Sequence, residues 1–272
     1  MASFYQDKVA IVTGASSGIG KQTSLLLASK GTHVVALARR KKLLDELAGQ
    51  IKSGGGQCTV FVCDVTDREA VARTAKKIRT KYKAVDFLVN NAGYGRANSV
   101  LEESEEQIRA LMETSYFGMI YMLKEFLPGM VERGQGSVAN LGSIVSELVF
   151  PYFGPYSAAK FAVAALTESL HLEMKGSGIK ISLILPGPAD TAFFDDISWQ
   201  DKRTVFPRVK PQEVAKTIVK ALRTGKLVNF CPSYLIPVVW SYNAYGPISR
   251  KIVGVVGQPK GSTLARLLGR KT

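Results

Sequence analysis

Tyr156 and Lys160 are the residue pair in this sequence best suited to acid–base chemistry. They lie four positions apart in a segment dense in helix formers, Tyr156-Ser-Ala-Ala-Lys-Phe-Ala-Val-Ala-Ala-Leu. Residues i and i+4 share one face of a helix, so the phenol and the ammonium are predicted to be neighbours. A cation beside a phenol lowers a tyrosine pKa from about 10 toward the working pH, which makes the group a usable general acid or base. Since a Y-x-x-x-K pattern alone is commonly surface decoration, the assignment depends on what surrounds it.

Ser143 is the second candidate for chemistry. It follows an apolar run, Gly136-Ser-Val-Ala-Asn-Leu-Gly, that predicts a buried strand. A hydroxyl at the end of this strand could donate a hydrogen bond to the same substrate oxygen that Tyr156 protonates. The sequence therefore predicts two hydroxyls and one ammonium around a substrate oxygen.

A glycine-rich turn near the N-terminus predicts a nucleotide site. The apolar strand Val9-Ala-Ile-Val-Thr runs into Gly14-Ala-Ser-Ser-Gly18-Ile-Gly20, and a helix-forming segment follows from Lys21 to Ser29. Small residues let the backbone approach a pyrophosphate, and the free N–H groups and positive end of the helix attract it. The spacing T-G-x-x-x-G-x-G between a strand and a helix therefore predicts dinucleotide binding.

The end of the second predicted strand indicates which dinucleotide is bound. Strand His33-Val-Val-Ala-Leu-Ala38 is followed by Arg39-Arg40-Lys41-Lys42, where sheets of this type often carry an acid for the ribose hydroxyls. A guanidinium suits a 2′-phosphate, so the sequence favours NADP(H) over NAD(H). Arg39 is the better candidate because it comes first after the strand. The three basic residues after it are interpreted as a solvated helix start.

Three later strand ends carry residues that would face the same crevice. Asp64 follows strand Cys58–Cys63 and could meet the adenine amino group, while Asp67 is interpreted as a helix N-cap. The stretch Asn90-Asn-Ala-Gly93 follows the next strand and would hold a loop against the cofactor. The rigid loop Pro186-Gly-Pro-Ala-Asp-Thr191 could lie against a nicotinamide carboxamide, with Thr191 bonding it.

The order of the predicted elements indicates the fold class. Strand and helix patterns alternate at least six times, and the strands are apolar on both faces. This pattern is typical of an α/β protein with a doubly wound parallel sheet (a Rossmann fold) in three α/β/α layers. We expect a single domain over residues 1–272, with a substrate flap at 188–210 and a basic, apolar C-terminal extension at 226–272.

Composition limits the class of protein. The 272 residues are 46% hydrophobic and 21% charged, which is typical of a globular domain. Cys58, Cys63 and Cys231 form neither a metal-binding spacing nor an even disulfide set, so no metal site is predicted and a reduced, cytoplasmic setting is expected. The first predicted strand begins too early to leave room for a signal peptide, and no apolar run reaches the roughly 18 residues of a membrane span.

Positive charge is concentrated toward the C-terminus. The chain has a formal charge of +14, and residues 202–272 hold 14 Lys and Arg residues against the single acid Glu213. Beside Trp240, Tyr242 and Tyr245, this charge is typical of peripheral contact with the cytoplasmic face of a membrane, and it would suit a lipophilic substrate entering from the bilayer. Two alternatives stay open: nucleic acid, which is not expected because no binding motif accompanies the charge, and packing of the tail over the substrate cleft with its charges solvated.

These motifs, in this order, resemble those of the short-chain dehydrogenase/reductase family. The matching pieces are Thr13-Gly-Ala-Ser-Ser-Gly-Ile-Gly20, Asn90-Asn-Ala-Gly93, Ser143 with Tyr156-x-x-x-Lys160, and Pro186-Gly187 with Thr191, and they cover roughly residues 6–225. The resemblance implies an NAD(P)(H)-dependent oxidoreductase that acts on a carbonyl or an alcohol. It also implies subunits that pair as a homodimer or homotetramer.

The resemblance implies roles for single residues. Tyr156 would be the acid/base, Lys160 would bind the nicotinamide ribose and lower the Tyr156 pKa, and Ser143 would orient the substrate oxygen. The residues implied to contact the diphosphate are Gly14, Ser16, Ser17, Gly18, Ile19 and Gly20, and Arg39 is implied to contact the 2′-phosphate. Asp64 and Val65 would flank the adenine, and Asn91, Ala92 and Gly93 would support the ribose. Pro186, Gly187 and Thr191 would cover the nicotinamide.

Ser115 marks a departure from the family pattern. The family often has an asparagine, in an N-x-x-G context of its fourth helix, that helps to hold a water for proton relay. This sequence has Ser115-Tyr-Phe-Gly118 there. A serine hydroxyl can still bond a water or a carbonyl oxygen, so we expect a modified relay in which Ser115 takes part.

Two functions are consistent with these residues. The first is an NADP(H)-dependent carbonyl reductase or alcohol dehydrogenase that acts on a small-molecule ketone or secondary alcohol such as a steroid, a retinoid or a long-chain keto lipid. A hydrophobic substrate is favoured by the aromatic and apolar residues of the loops, Leu148, Phe150, Tyr152, Phe153, Phe193, Phe194 and Trp199. The second is a non-catalytic NADP-binding sensor or scaffold, which only the exchange at Ser115 favours.

Overall fold

Seven parallel strands form the centre of the protein. The computed structural model describes residues 3–191 and 207–256, and in this part of the chain the strands are β1 (Val9–Thr13), β2 (His33–Ala38), β3 (Gln57–Val62), β4 (Phe87–Asn90), β5 (Gly136–Leu141), β6 (Ile179–Pro186) and β7 (Val228–Cys231). They pair in the order β3-β2-β1-β4-β5-β6-β7, and every neighbouring pair is parallel. The predicted parallel sheet is therefore confirmed.

Helices cover both faces of the sheet, as predicted for a doubly wound fold. In the same residues they are α1 (Gly18–Ala28), α2 (Lys41–Ser53), α3 (Arg68–Lys81), α4 (Glu105–Met112), α5 (Gly118–Glu132), α6 (Gly154–Glu173), α7 (Pro211–Thr224), α8 (Leu235–Ala244) and α9 (Gly246–Val256). One core lies under α1, α2 and α7, and a second lies under α3, α5 and α6. Successive residues of β1 alternate between them: Ala10 and Val12 enter the first core, and Ile11 enters the second.

The winding of the sheet reverses between β1 and β4. The chain passes outward from β1 through β2 to β3, returns to β4, and then winds the other way to β7. Open α/β sheets bind ligands outside the carboxyl ends of their strands at such a switch point. The glycine-rich turn after β1 and the polar stretch after β4 therefore flank the expected cleft.

The helical region expected from Ser104 to Glu132 is present but is not regular. Ser104 caps it, since its hydroxyl accepts the backbone N–H of Gln107 at 3.2 Å. A π-helical turn, Glu113–Phe117, separates α4 from α5. Such turns are rare and often lie at functional sites. Its middle residue is Ser115, so the departure seen in the sequence coincides with a local change in backbone winding.

The C-terminal extension is more regular than its sequence predicts. The proline in its apolar segment indicates a broken stretch, yet Leu235–Ala244 form α8 and α9 follows it. Pro237 lies in the first turn of α8, where backbone N–H groups have no partner within the helix, so its missing N–H costs little. Residues 257–272 lie outside the described part of the chain.

The expected flap at 188–210 is described only at its two ends. Residues 192–206, with the predicted substrate-facing Phe193, Phe194 and Trp199, lie outside the described residues. At the ends, Asp190 donates its backbone N–H to the carbonyl oxygen of Val209 at 2.9 Å. The segment therefore leaves and re-enters the fold at one place, beside the carboxyl end of β6.

Candidate active site

The glycine turn after β1 leaves room for a ligand and none for side chains. Gly14 and Gly18 have φ angles of +63° and +52°, in the region that favours glycine. A side chain on Gly20 would meet the carbonyl oxygen of Gly14. Ser17 caps α1 without a side-chain hydrogen bond to the helix among the described residues. The first N–H groups of α1 are therefore available to an anion.

Thr13 and Asn91 hold this turn in place. The Asn91 side-chain amide donates to the carbonyl oxygen of Thr13 at 2.9 Å and to that of Gly14 at 3.3 Å. The Thr13 hydroxyl accepts the backbone N–H groups of Asn91 at 2.9 Å and Ala92 at 3.0 Å. Asn91 and Ala92 therefore support the glycine turn by hydrogen bonds to Thr13 and Gly14. The Asn91 side-chain amide bonds to backbone carbonyl oxygens of this turn. The sequence motifs assign no role to Thr13. The only feature of the sequence that could have indicated one is its position directly before Gly14.

Arg40 is exposed at the N-cap of α2, as predicted, and its side chain also reaches the glycine turn, which the sequence interpretation did not foresee. Its guanidinium donates to the hydroxyl of Ser16 at 2.9 Å and to that of Ser17 at 2.7 Å. The side chain of Arg39 is 76% exposed and lies 3.6 Å from the carboxylate of Asp64. Because β1 and β2 are neighbours in the sheet, the turns that follow them are also neighbours. Both arginines therefore stand at this end of the cleft.

Asp64 and Val65 shape the next turn. One Asp64 carboxylate oxygen accepts the backbone N–H of Thr66 at 3.0 Å and the hydroxyl of the same residue at 2.9 Å. Val65 is buried against α5, where a side chain on Gly118 would begin 2.8 Å from a Val65 methyl carbon. Asp67 caps α3 as predicted, since it accepts the backbone N–H of Ala70 at 2.9 Å.

The loop after β6 crosses over the glycine turn. Gly187 donates its N–H to the carbonyl oxygen of Cys231 at 2.8 Å, which extends the pairing of β6 and β7 past Pro186. Farther along, a methyl carbon of Thr191 lies 3.1 Å from the point where a Gly18 side chain would begin. The structure therefore brings the predicted nicotinamide loop and the predicted diphosphate turn together on one cleft.

The turn after β5 connects Ser143 to α6 through a residue that no motif marks. The backbone N–H of Ser143 donates to the hydroxyl of Ser146 at 3.2 Å, and that hydroxyl donates to the carbonyl oxygen of Lys160 at 2.9 Å. Ser146 is therefore a positioning residue between the two predicted catalytic segments. Ser143 is itself buried and hydrogen-bonded to Tyr156.

Tyr156 and Lys160 lie one turn apart near the start of α6, and each is only 3% exposed. The Lys160 ammonium donates to the carbonyl oxygen of Leu141, at the end of β5, at 2.9 Å. Its Nζ lies 5.9 Å from the centroid of the Tyr156 ring. Together with the Ser143 bond, this places Ser143, Tyr156 and Lys160 at one point of the cleft.

Burial controls the pKa values of both groups. Desolvation raises the pKa of Tyr156 above its ordinary 10.0, and the hydrogen bond with Ser143 acts in part against it. Desolvation also lowers the pKa of Lys160 to about 8. The predicted lowering of the Tyr156 pKa by Lys160 is not found, because the loss of water outweighs the attraction of an ammonium that bonds Leu141. Tyr156 is therefore protonated at neutral pH.

An apolar cluster encloses the Tyr156 ring. Its buried members come from α4, the turn after β5 and α8; they are Leu111, Ile144, Val145, Leu148, Leu235, Val239 and Tyr242. Tyr94, Phe150 and Phe153 pack around them, half-buried. The C-terminal helix α8 is thus part of the site, although no sequence motif indicates it.

A small cavity lies between Ser115 and the end of β4. Its volume is about 10 Å³, close to the minimum for one water molecule. Ser115 and Asn90 both line it, and among the described residues neither the Ser115 hydroxyl nor the Asn90 side-chain oxygen has a hydrogen-bond partner. Ser115 Oγ and Lys160 Nζ lie 3.6 and 3.7 Å from the point where a side chain on Gly93 would begin. A water held here would bond to two otherwise unpaired oxygens, on the side of the cleft that Lys160 occupies.

The residues present fit a nicotinamide dinucleotide. The positive-φ glycines remove the side chains that would block a diphosphate, the start of α1 offers free N–H groups, and two guanidinium groups stand nearby. In residues 3–191 and 207–256, no three His, Cys, Asp or Glu side chains are grouped closely enough to hold a metal ion. Over the same residues, no helix combines the length and the apolar character needed to cross a membrane.

Known proteins similar to this chain are oxidoreductases. The family model described as short chain dehydrogenase matches residues 8–202. The 3-ketodihydrosphingosine reductase of Bacteroides thetaiotaomicron is 36% identical over 191 residues, which cover 70% of this chain and 67% of that protein. A short chain dehydrogenase/reductase from Burkholderia phymatum, solved with NAD, has a TM-score of 0.81 over 90% of this chain and 95% of that one; at 21% identity it shows the fold alone. An alcohol dehydrogenase from the archaeon Thermococcus sibiricus, solved with 5-hydroxy-NADP, has a TM-score of 0.73 and 29% identity over 83% of this chain and 95% of that one.

Proposed function

The chain belongs to the short-chain dehydrogenase family, and from this premise we propose that it is an NADP(H)-dependent oxidoreductase that interconverts a ketone and a secondary alcohol of a lipophilic substrate. The observation that carries the proposal is the convergence of Ser143, Tyr156 and Lys160 at the end of β5, beside the glycine turn. A surface pair of tyrosine and lysine would be solvated, whereas these two side chains are buried in the cleft.

The chain's own residues hold and protonate the substrate oxygen. When bound, the nicotinamide cofactor supplies or accepts the hydride. Tyr156 holds the proton to be donated, because burial raises its pKa and keeps its hydroxyl protonated at neutral pH. Ser143, hydrogen-bonded to Tyr156, fixes the position of the oxygen that receives this proton.

Lys160 stabilises the phenolate that remains once Tyr156 has given up its proton. Its ammonium lies 5.9 Å from the Tyr156 ring in a site without bulk water, where the attraction between opposite charges is stronger than in solution. The apolar cluster around the ring keeps water away from the substrate oxygen. Lys160 therefore acts on Tyr156 once the proton has left, and its role toward the nicotinamide ribose stays a prediction.

Preference for NADP(H) is supported by charge at the end of β2. Arg39 and Arg40 follow Ala38 directly, with no acid there to pair with ribose hydroxyls. Arg39 is exposed and weakly paired with Asp64, so its guanidinium is available to a 2′-phosphate. Arg40 already bonds the serines of the glycine turn, so it shapes the turn next to that phosphate.

A lipophilic substrate is supported by the surroundings of Tyr156. Leu148, Phe153 and three side chains of α8 enclose the ring. Binding against these apolar side chains contributes about 25 cal/mol of free energy for each Å² of apolar surface that the substrate buries. A small polar ketone buries little apolar surface, so it gains little binding free energy here. The relative from Bacteroides thetaiotaomicron is named 3-ketodihydrosphingosine reductase, a name that agrees with this substrate class.

A panel of ketones and aldehydes tests the proposal, with loss of NADPH absorbance as the readout. We expect kcat/KM for long-chain or polycyclic ketones to exceed that for short polar ketones by at least about tenfold, because the larger substrates bury more apolar surface against these side chains. A preference for short polar ketones would overturn the assignment of the substrate class. Normal NADPH binding without turnover of any member would favour a non-catalytic sensor and overturn the assignment as an enzyme.

The cysteines support a cytoplasmic setting. Cys58, Cys63 and Cys231 are all free, and burial raises the pKa of each thiol. Thiols of this kind are inert structural residues in a reducing compartment. Mass spectrometry of the protein purified without reductant would show three unmodified thiols.

A further inference from the structure

We propose that α8 and α9 carry a docking surface for an anionic lipid membrane. The α8–α9 face is defined here by six exposed side chains, four apolar or aromatic and two basic: Ile236, Trp240, Tyr245, Ile248, Arg250 and Lys251. The proposed activity does not require this surface, and the surface does not require the activity.

Helix α8 is apolar on both of its faces. Its inner face, Leu235, Val239 and Tyr242, is buried in the cluster around Tyr156. Its outer face presents Ile236 and Trp240, one turn apart and therefore side by side, at 45% and 68% exposure. A helix at the surface of a globular protein normally turns charged or polar residues outward. The outer face of α8 therefore carries apolar surface that the described fold does not use.

The apolar surface continues around the corner between the two helices. Tyr245 is 58% exposed at the end of α8, and Ile248 is 64% exposed in the first turn of α9. The sequence from Leu227 to Ser249 contains no charged residue at all. Single exposed apolar residues are ordinary, but a group on one pair of helices with no charge among them is typical of an interaction site.

Basic residues border this surface on the α9 side. Arg250 and Lys251 are exposed, and Lys251 shares a helical face with Ile248 three positions earlier. The Arg250 guanidinium folds back toward the corner, 3.8 Å from where a side chain on Gly246 would begin. From Lys226 to the end of the chain there are seven Lys and Arg residues and no acid. Positive charge beside exposed Trp and Tyr side chains is complementary to a membrane surface, which has anionic headgroups over an apolar interior.

A lipid surface fits this face better than the other occupants. Nucleic acid would use the positive charge but not the aliphatic side chains of Ile236 and Ile248. A second copy, paired through a two-fold axis, would bring the basic groups of both chains together, and the face holds no carboxylate to pair with them. Because the inner side of α8 packs into the Tyr156 cluster, docking would set the candidate active site next to the bilayer.

Vesicle sedimentation with the full chain tests the docking surface. The probes are vesicles of phosphatidylcholine alone and of phosphatidylcholine mixed with phosphatidylserine, at low salt and at about 0.5 M salt. We expect binding to the mixed vesicles at low salt and weak binding in the other conditions. The double variant Ile236→Ser/Trp240→Ser should bind at least about tenfold more weakly, and Arg250→Gln/Lys251→Gln about 30-fold more weakly.

Matched variants elsewhere on the surface control for general effects. Leu172→Ser removes a side chain on α6 that is 64% exposed, and Lys76→Gln/Lys77→Gln removes two exposed charges from α3. Both should bind vesicles within about twofold of the wild type, by the same additive charge and area arguments. In a Trp199→Phe background, Trp240 is the remaining tryptophan, so its fluorescence should shift to the blue on the mixed vesicles.

Four results would overturn the proposal. They are no binding to anionic vesicles at low salt, equal losses in the control variants, an unshifted Trp240 spectrum on sedimenting vesicles, and a change of oligomeric state without a change of vesicle binding in Ile236→Ser/Trp240→Ser. The last would identify a second copy as the occupant. The arginine–lysine variant keeps every apolar side chain, so it remains informative if the apolar variant fails to fold. None of these readouts depends on turnover, so the proposed function can fail while the docking surface stands.

Discussion

The buried ammonium of Lys160 donates a hydrogen bond to the carbonyl oxygen of Leu141 at 2.9 Å. This bond ties α6 to the end of β5 and holds the ammonium over the Tyr156 ring, with Nζ 5.9 Å from the ring centroid. A charge is therefore kept in a site that excludes water, and its pKa falls to about 8 as a result. Both the stability of the protein and its chemistry depend on that arrangement.

Replacing Lys160 with methionine should stabilise the protein at neutral pH while it abolishes turnover. A buried base with a pKa of about 8, against 10.5 when unfolded, binds its proton more weakly in the folded state, so protonation works against folding below pH 8. Methionine removes this cost and loses one hydrogen bond, for a net gain of about 2 kcal/mol. The melting temperature at pH 7 should rise by about 5 °C.

The stability advantage of Lys160→Met should depend on pH. Between pH 8 and 10.5 the unfolded chain binds one more proton at this site than the folded chain, so the wild type gains stability as pH rises and the advantage of Lys160→Met shrinks. Lys180→Met is the control, because Lys180 also donates to a backbone carbonyl but from an exposed position. An advantage of Lys160→Met that stays constant across this range would show that the lysine is not desolvated.

Tyr156→Phe should lower kcat by at least about a thousandfold, since it removes the proton donor. The Kd of NADPH should stay within about threefold of the wild type, because the ring still fills its place in the apolar cluster. Steady-state kinetics and NADPH fluorescence titration measure the two quantities. Tyr121→Phe, on α5 outside the cluster, should leave both unchanged. Activity retained in Tyr156→Phe would end the assignment of the proton donor.

Arg39→Gln and Arg40→Gln should separate recognition of the 2′-phosphate from support of the glycine turn. Arg39 has only a long contact to Asp64, so its loss should lower kcat/KM about 10- to 100-fold with NADPH and leave NADH unaffected. Arg40 bonds Ser16 and Ser17, so its loss should lower kcat/KM with both cofactors. Kinetics with each cofactor distinguish the two. Equal use of NADH and NADPH by the wild type would refute the role given to Arg39.

Ser115→Ala should lower kcat by about three- to tenfold and leave KM unchanged, because it removes one of the two partners that a water held in the adjacent cavity would have. The profile of kcat against pH should shift as well. Ser182→Ala is the matched control: Ser182 also buries a hydroxyl with no partner among the described residues, but it lies on β6 outside that cavity. Identical profiles for the wild type and Ser115→Ala would show that Ser115 takes no part in proton transfer.

Ser146→Ala should reduce kcat by about tenfold with little change in KM. It leaves the N–H of Ser143 and the carbonyl oxygen of Lys160 without their shared partner, at a cost of about 1–3 kcal/mol in the free energy of unfolding. Kinetics well below the melting temperature separate the loss of positioning from the loss of stability. A variant that is destabilised but fully active would show that Ser146 only holds the fold.

Local patterns along the chain are enough to predict the fold class and much of the candidate site. Apolar strands that alternate with amphipathic helices specify a covered parallel sheet, because backbone hydrogen bonds and apolar faces have few other ways to be satisfied together. The glycines after β1 and the polar residues after β4 and β5 lie at strand ends, and the carboxyl ends of parallel strands meet at one edge. The spacing of Tyr156 and Lys160 on one helix likewise depends only on local geometry.

Tertiary structure decides what those residues do to one another. Arg40 bonds Ser16 and Ser17, and α8 covers Tyr156, through contacts between segments that are remote in sequence. The shift of the Tyr156 pKa is also opposite to the predicted one. The spacing of Tyr156 and Lys160 predicts that a nearby cation lowers this pKa, but it does not reveal that burial desolvates the phenol and raises it. Desolvation and the choice of hydrogen-bond partner depend on every atom packed around a group, and those atoms come from elements that only the fold brings together.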